Sequence, residues 1–259
     1  MGLFLGQPSA AVMDDEKLTD FENLTFVGRH LLNAAIEYAL DPLRVYQPGA
    51  RELAENNNYA RPVHYAEIKS LFTEKITKPF GHEALNGWAM QGGVPSIVAN
   101  SSGTEFRIPG YVRPHGVLVH PGRTHSVAVG WKSPIDGLVH IDASAVDAHP
   151  EGGNGQSWAV TIQQGVVRHQ LAAGELDRGG SSSQQFKDIV VRKGDVVSLV
   201  IGPRAADWAC DGTGINLVIS DQSTRLRTWN LAADISADIH AANPHPDHYG
   251  NQAVWHFFS

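Results

Sequence analysis

The sequence predicts a mainly β protein, a jelly-roll-like antiparallel β-sandwich with an N-terminal α-helical extension. Three observations carry that reading. From about residue 94 onward, short β-type runs recur at spacings near ten residues, with no helical period between them. Gly, Pro and Asp punctuate the runs, as in Ser133-Pro134-Ile135-Asp136-Gly137 and Arg192-Lys193-Gly194-Asp195. Before that point the apolar period is helical. The chain therefore divides into 1–93, a helical extension or the remnant of a preceding domain, and 94–259, a β-sandwich module.

Taken in order, Asp14 and Asp15 can cap a helix in which Leu18, Phe21, Leu24, Leu31, Leu32, Ala35, Ile36 and Ala39 share a face, ending at Asp41-Pro42. A second helix opens at Pro62 and runs through Ile68, Leu71, Phe72 and Ile76, stopping before Pro79. Two helices alone bury little surface, so they are expected to pack on the strands of the C-terminal region. Strand candidates are Ser96–Asn100, Thr104–Ile108, Gly116–His120, His125–Trp131, Leu138–Ala145 and Ser157–Gln163. They continue as Val166–Leu171, Gln185–Val191, Val196–Gly202, Gly214–Ser220, Arg227–Leu231 and Val254–Phe258. Alternation is clear in Val127-Ala128-Val129-Gly130-Trp131 and in Val197–Ile201. Gly179-Gly180-Ser181-Ser182-Ser183 reads as a flexible hairpin tip.

Composition excludes several function classes. A hydrophobic share of 42% and a charged share of 18% over 259 residues fit a folded domain. The net charge of −7 argues against a phosphate-backbone partner, so no nucleic acid is expected. No apolar run reaches membrane-spanning length, and the N-terminal residues lack the basic and apolar regions of a signal peptide. One cysteine, Cys210, rules out an intrachain disulfide and reads as a packed thiol. There is no phosphate-cradling loop, dinucleotide fingerprint, nucleophile elbow or HExxH.

A set of motifs resembles one particular module. It comprises Arg107-Ile108-Pro109-Gly110, Pro114-His115-Gly116-Val117-Leu118-Val119-His120-Pro121 and Val127–Pro134. It continues with Ala148-His149-Pro150-Glu151-Gly152-Gly153-Asn154-Gly155, Ser198–Arg204 and Gly250–Phe257. Together they are similar to the C-terminal carbohydrate-binding-like β-sandwich of large, secreted, planctomycete-type proteins that carry cytochrome-c-like and uncharacterised domains. The resemblance implies a secreted or periplasmic parent with further domains. This chain lacks Cys-x-x-Cys-His, so no haem is expected here, and no nucleotide.

Three polar stretches carry the candidate chemistry. In Asp147–Trp158, a Gly-rich loop between strands, Asp147, Glu151 and Asn154 offer hard oxygen ligands suited to calcium, and His149 and Asn154 are also ligand-contact candidates. In Asp207–Gly214, Asp211 is the further calcium donor, and Trp208 is either a sugar-stacking platform or a plug under the loop. In Asn243–Phe257, His245, Asp247 and Tyr249 are ligand-contact candidates. Pro244 and Pro246 make a compact transition-metal site there a poor fit. Trp255 and Phe257 should face the core, with His256 opposite. His115, His120, His125, His140 and His169 are scattered through the strand regions.

The leading expectation is a non-catalytic polysaccharide-binding module of a larger secreted protein, with a structural calcium. The alternatives are a polysaccharide lyase or hydrolase drawing on Glu151, Asp211, Asp247, His248 and Tyr249, and a structural docking domain.

Overall fold

A computed structural model describes residues 70–223 and 226–259. The first predicted helix and the start of the second lie outside these residues. Fifteen strands are present among the described residues. In chain order they are β1 (Glu74–Thr77), β2 (Leu85–Ala89), β3 (Ser96–Asn100), β4 (Phe106–Arg107), β5 (Tyr111–Val112), β6 (Val117–His120) and β7 (Val127–Lys132). Then come β8 (Gly137–Asp147), β9 (Gln156–Gln164), β10 (Val167–Leu176), β11 (Ser181–Val191), β12 (Val196–Pro203), β13 (Thr213–Asp221), β14 (Thr228–Asn230) and β15 (Trp255–Phe258). One short helix, α1 (Leu231–Ile235), succeeds β14 and is capped by the Asn230 side chain, which accepts from Ala233 N at 3.3 Å.

All pairings are antiparallel. The larger sheet runs β1-β2-β3-β6-β13-β8-β11, with β14 also on β13; the second runs β10-β9-β12-β7-β15. The ribbon β4-β5 stands apart and covers Leu85, Val98 and Leu118 on the outer side of the larger sheet through Val112. Each of the twelve candidate runs overlaps one of these strands.

The second predicted helix is corrected over its described end. Residues 70–77 are extended: Leu71 bridges Phe258, Phe72 N donates to Phe257 O at 2.9 Å, and Glu74–Thr77 is a strand on β2. Phe72 is 2% exposed, so its burial against the sheet edge, with the ladder bonds beside it, outweighs the helical spacing of the apolar residues. β2 was invisible in the pattern because Leu85-Asn86-Gly87-Trp88-Ala89 has no run of strand formers. Gly87 is required there, because a Cβ would lie 2.0 Å from Ile97 O on β3. Ser181–Ser183 are no flexible tip either. They pair with Val146, Ala145 and Ser144 of β8.

The core lies between the two sheets. Alternation places Val139, Ile141, Ala143 and Ala145 of β8 and Ile215, Leu217 and Ile219 of β13 against Val127, Val129, Trp131, Val160, Ile162, Val197, Leu199 and Ile201 of the second sheet. The indoles of Trp131 and Trp229 meet across the layers at 5.1 Å between centroids. Trp255 and Phe257 face inward as expected, both fully buried, and His256 points to the other face.

Candidate binding site at one end of the sandwich

Strand register sets the location. Thr213 pairs with Asp147, Pro203 with Gln156 and Leu176 with Gln156, while Ser181 pairs with Val146. Segments 148–155, 177–180 and 204–212 therefore emerge at the same end of the molecule. This end holds two of the three polar stretches singled out in the sequence.

Asp147, 5% exposed, ties two of these loops. Its Oδ1 accepts from His149 N at 2.9 Å and its Oδ2 from Gly179 N at 2.7 Å. Arg204 ties all three. It reaches Glu175 Oε2 through Nε and Asp177 Oδ1 through Nη1, each at 2.8 Å, and Nη1 also donates to Asn154 O at 3.2 Å. Asn154 Nδ2 donates back to Arg204 O at 3.0 Å. Asp177 and Glu175 raise the guanidinium pKa above its ordinary value, so Arg204 stays charged.

The glycines of the β8–β9 loop allow close packing. Gly153 has φ +74° and Gly155 φ +90°. A Cβ on Gly155 would fall 1.9 Å from Leu176 O, and one on Gly152 would fall 2.5 Å from Cys210 Sγ. Cys210 is thus a packed, half-buried thiol.

Trp208 lies at the tip of the 204–212 loop and is 38% exposed. Ala205, Ala206 and Cys210 hold that loop in left-handed conformations, at φ 51°, 59° and 67°. Each costs on the order of 1 kcal/mol, and such strain concentrates where a loop must present a group. His120 packs edge-on to Trp208 at 6.0 Å between centroids. Burial lowers the His120 pKa, and nearby His149 lowers it further, so the imidazole beside the indole is neutral at pH 7. Nothing in the sequence joined His120 to Trp208; β6 and the β12–β13 loop meet only through the sheet.

Behind the surface sits Asp211, fully buried, with neither carboxylate oxygen hydrogen-bonded. Burial, with Asp207 and Asp147 nearby, pushes its pKa up to about 7. Asn154 Oδ1, Gln156 Oε1 and His149 Nδ1 are also buried without a hydrogen-bond partner. Glu151 does not join them: it pairs with Arg107 at 3.2 Å and with Tyr111 Oη at 3.3 Å on the β4–β5 ribbon.

The third polar stretch is elsewhere. Tyr249 Oη accepts from Thr228 N at 3.0 Å, and Thr228 pairs with Ser220. Ser220 lies seven residues along β13 from Thr213, about 23 Å away at strand rise. His245 and Asp247, 3% and 6% exposed, have their polar atoms engaged within the fold. His245 Nδ1 meets Pro246 O at 2.6 Å and Nε2 meets Asp238 Oδ1 at 3.3 Å. Asp247 accepts from Trp229 Nε1, Tyr249 N, Asn251 N and Asn251 Nδ2. On the same surface His248 Nδ1 meets Asp234 Oδ1 at 2.5 Å, and its ring lies 3.9 Å from that of Tyr249, which is 44% exposed. Asp234 Oδ2 accepts from Trp255 Nε1 at 2.7 Å. The scattered histidines do not assemble: among the described residues no group of three or more His, Cys, Asp or Glu is placed to hold a metal ion.

No helix among the described residues is long and apolar enough to cross a membrane. No protein-family model matches the sequence, and no curated protein does. Among solved structures, the chain is similar to TmCBM61 in complex with β-1,4-galactotriose, at 12% identity and a TM-score of 0.34, covering 60% of this chain and 92% of that one. It is similar to CsCBM6-3 from Clostridium stercorarium in complex with cellobiose, at 10% identity and a TM-score of 0.22 over 57% and 85% of the two chains. It is similar also to murine APRIL, at 13% identity and a TM-score of 0.22 over 56% and 93%. At such scores the backbones diverge widely, and nothing about ligands is carried over from these proteins.

Proposed function

We propose that this chain is a non-catalytic carbohydrate-binding module of a larger secreted protein, taking polysaccharide at the end that carries Trp208. The observation that carries the reading is the exposed indole, held on a strained loop beside His120. Sugars offer apolar ring faces edged with hydroxyls, and an aromatic platform flanked by polar groups matches both. A groove of about 510 Å³ lies on the outer face of the second sheet near the same end, lined by Ser126, Ser157, Ala173, Glu175, Val200 and Gly202. Trp158 and Ala159 also line it, so its walls are largely apolar with Ser126, Ser157 and Glu175 as polar groups, a surface suited to sugar ring faces. The motif resemblance supports the secreted, multidomain setting.

The test is retention on immobilised neutral and acidic polysaccharides and on a glycan array. Retention lost in Trp208→Ala, with melting unchanged, is the expected result; no retention of the intact protein on any of them would sink the reading.

A second reading is a polysaccharide lyase or hydrolase. The observation favouring it is His248, oriented by the buried Asp234 carboxylate and tilted against the Tyr249 ring, the arrangement of a positioned base. Release of reducing or unsaturated ends, lost in His248→Ala, would place it first.

A further inference from the structure

We propose that the flank of the sandwich edged by β10 and β11 is an interface for a second copy of this chain, the two copies pairing edge to edge and antiparallel about a two-fold axis. A sheet edge presents outward N–H and C=O groups that accept another strand unless something guards them. β1 and β11 end the larger sheet, and β15 and β10 end the second. β15 is covered: Leu71 and His245 bridge it, and Phe72 N donates to Phe257 O at 2.9 Å. β1 is only four residues long and carries Glu74 and Lys75. β10 and β11 are ten and eleven residues long, and among the described residues their backbones pair only with β9 and β8. The two edges share one flank. Residues 177–180 join them at one end, and at the other Gln164 Nε2 of β9 donates to Val190 O of β11 at 3.0 Å.

β11 is the more open of the two. Residues 181–186 follow β8 in unbroken register and hold no charge, proline or glycine. The guarding devices, a bulge with Lys187 and Asp188, come only after Phe186. β10 has its bulge between Gln170 and Ala172, and its charges are Arg168 and Glu175, one near each end. These opposite charges fit a second copy. A two-fold axis sets residue i against j and j against i. With the axis midway between Arg168 and Glu175, each Arg168 lies across from Glu175 of the other copy. Both side chains are on the outer face, because they sit opposite Gln163 and Ser157, whose neighbours Ile162 and Trp158 belong to the core. Glu175 meets Arg204 through Oε2, and its side chain is 55% exposed. Opposite charges facing across strands stabilise a pairing, and the uncharged stretch of β11 adds no repulsion. Antiparallel pairing points the Trp208 ends of the two copies in opposite directions, which on the carbohydrate reading makes the dimer divalent.

The interface is measured without sugar, so its failure leaves the glycan reading standing. The full chain is run by size-exclusion chromatography with light scattering over a range of concentrations, and the expected mass is that of two chains. Arg168→Glu sets like charges against one another at both positions and should give monomer, as should Glu175→Arg. Mixing the two variants restores opposite charges at both positions, so a dimer with one copy of each should form. Ser183→Lys, at an exposed position in the open stretch of β11, supplies the charge that this edge lacks and should also give monomer. A monomeric unaltered chain at every concentration would overturn the proposal. So would a dimer that persists in Ser183→Lys, or a mixture of the two folded charge variants that stays monomeric.

Discussion

The Asp247 carboxylate accepts a hydrogen bond of 2.6 Å from the indole Nε1 of Trp229, a residue with no exposed surface. The same carboxylate takes Tyr249 N at 3.0 Å, Asn251 N at 2.8 Å and Asn251 Nδ2 at 2.7 Å. It is the knot that fastens the loop before β15 to the inter-sheet core. Asp247→Ala strands the indole N–H and two backbone N–H groups, for a loss of about 3 kcal/mol in denaturant unfolding. Asp247→Asn, which keeps an acceptor, should lose less. Equal losses in the two variants would show that the loop does not depend on these bonds.

Trp208 separates binding from folding. Its indole is partly exposed on a loop tip and lies outside the central core, so Trp208→Ala should change stability by no more than about 0.5 kcal/mol. Polysaccharide retention should fall at least about tenfold, in the range for losing a stacking platform. A large drop in melting temperature would mean that the indole is a plug instead.

Gly155 tests how tightly the loops are nested. Its φ of +90° is unfavourable for any side chain, and a Cβ would enter the van der Waals space of Leu176 O. Gly155→Ala is expected to cost about 3 kcal/mol or more, or to displace the β8–β9 loop enough to abolish retention. A variant with intact melting and intact retention would show that this loop shifts freely.

His256 makes stability depend on pH. Burial and the nearby Lys132 lower its pKa to about 4, against the gain from Ala253 O. Its folded value lies below its unfolded value of about 6.5, so the unfolded chain takes up the proton first. Stability is therefore full above about pH 6.5 and declines as pH falls toward 4, by at most about 3 kcal/mol. Melting profiles between these limits should flatten in His256→Gln. An unchanged slope would assign the acid loss to other groups.

Much of the architecture was legible. Runs such as Val127–Trp131 and Val197–Ile201 bury alternate side chains in any sandwich, and their turn residues leave few other options. Residues 70–77 misled because a helical spacing of Leu71, Phe72 and Ile76 says nothing about an open sheet edge. That edge belongs to β15, more than 180 residues later in the chain.

What the sequence alone determined was the class of the fold, the positions of most strands and the residue types available for chemistry. Periodicity and turn preferences are local, and they act through the few residues that carry them. Tertiary structure alone decided which polar groups meet. Asp147, Asn154, Arg204, Trp208 and Asp211 share one end because the register of β8, β9, β12 and β13 puts their loops there. The same geometry sends Glu151 to Arg107 and seals His245 and Asp247 into the fold. Sheet pairing joins residues distant along the chain, and that distance is what a pattern of neighbours cannot encode.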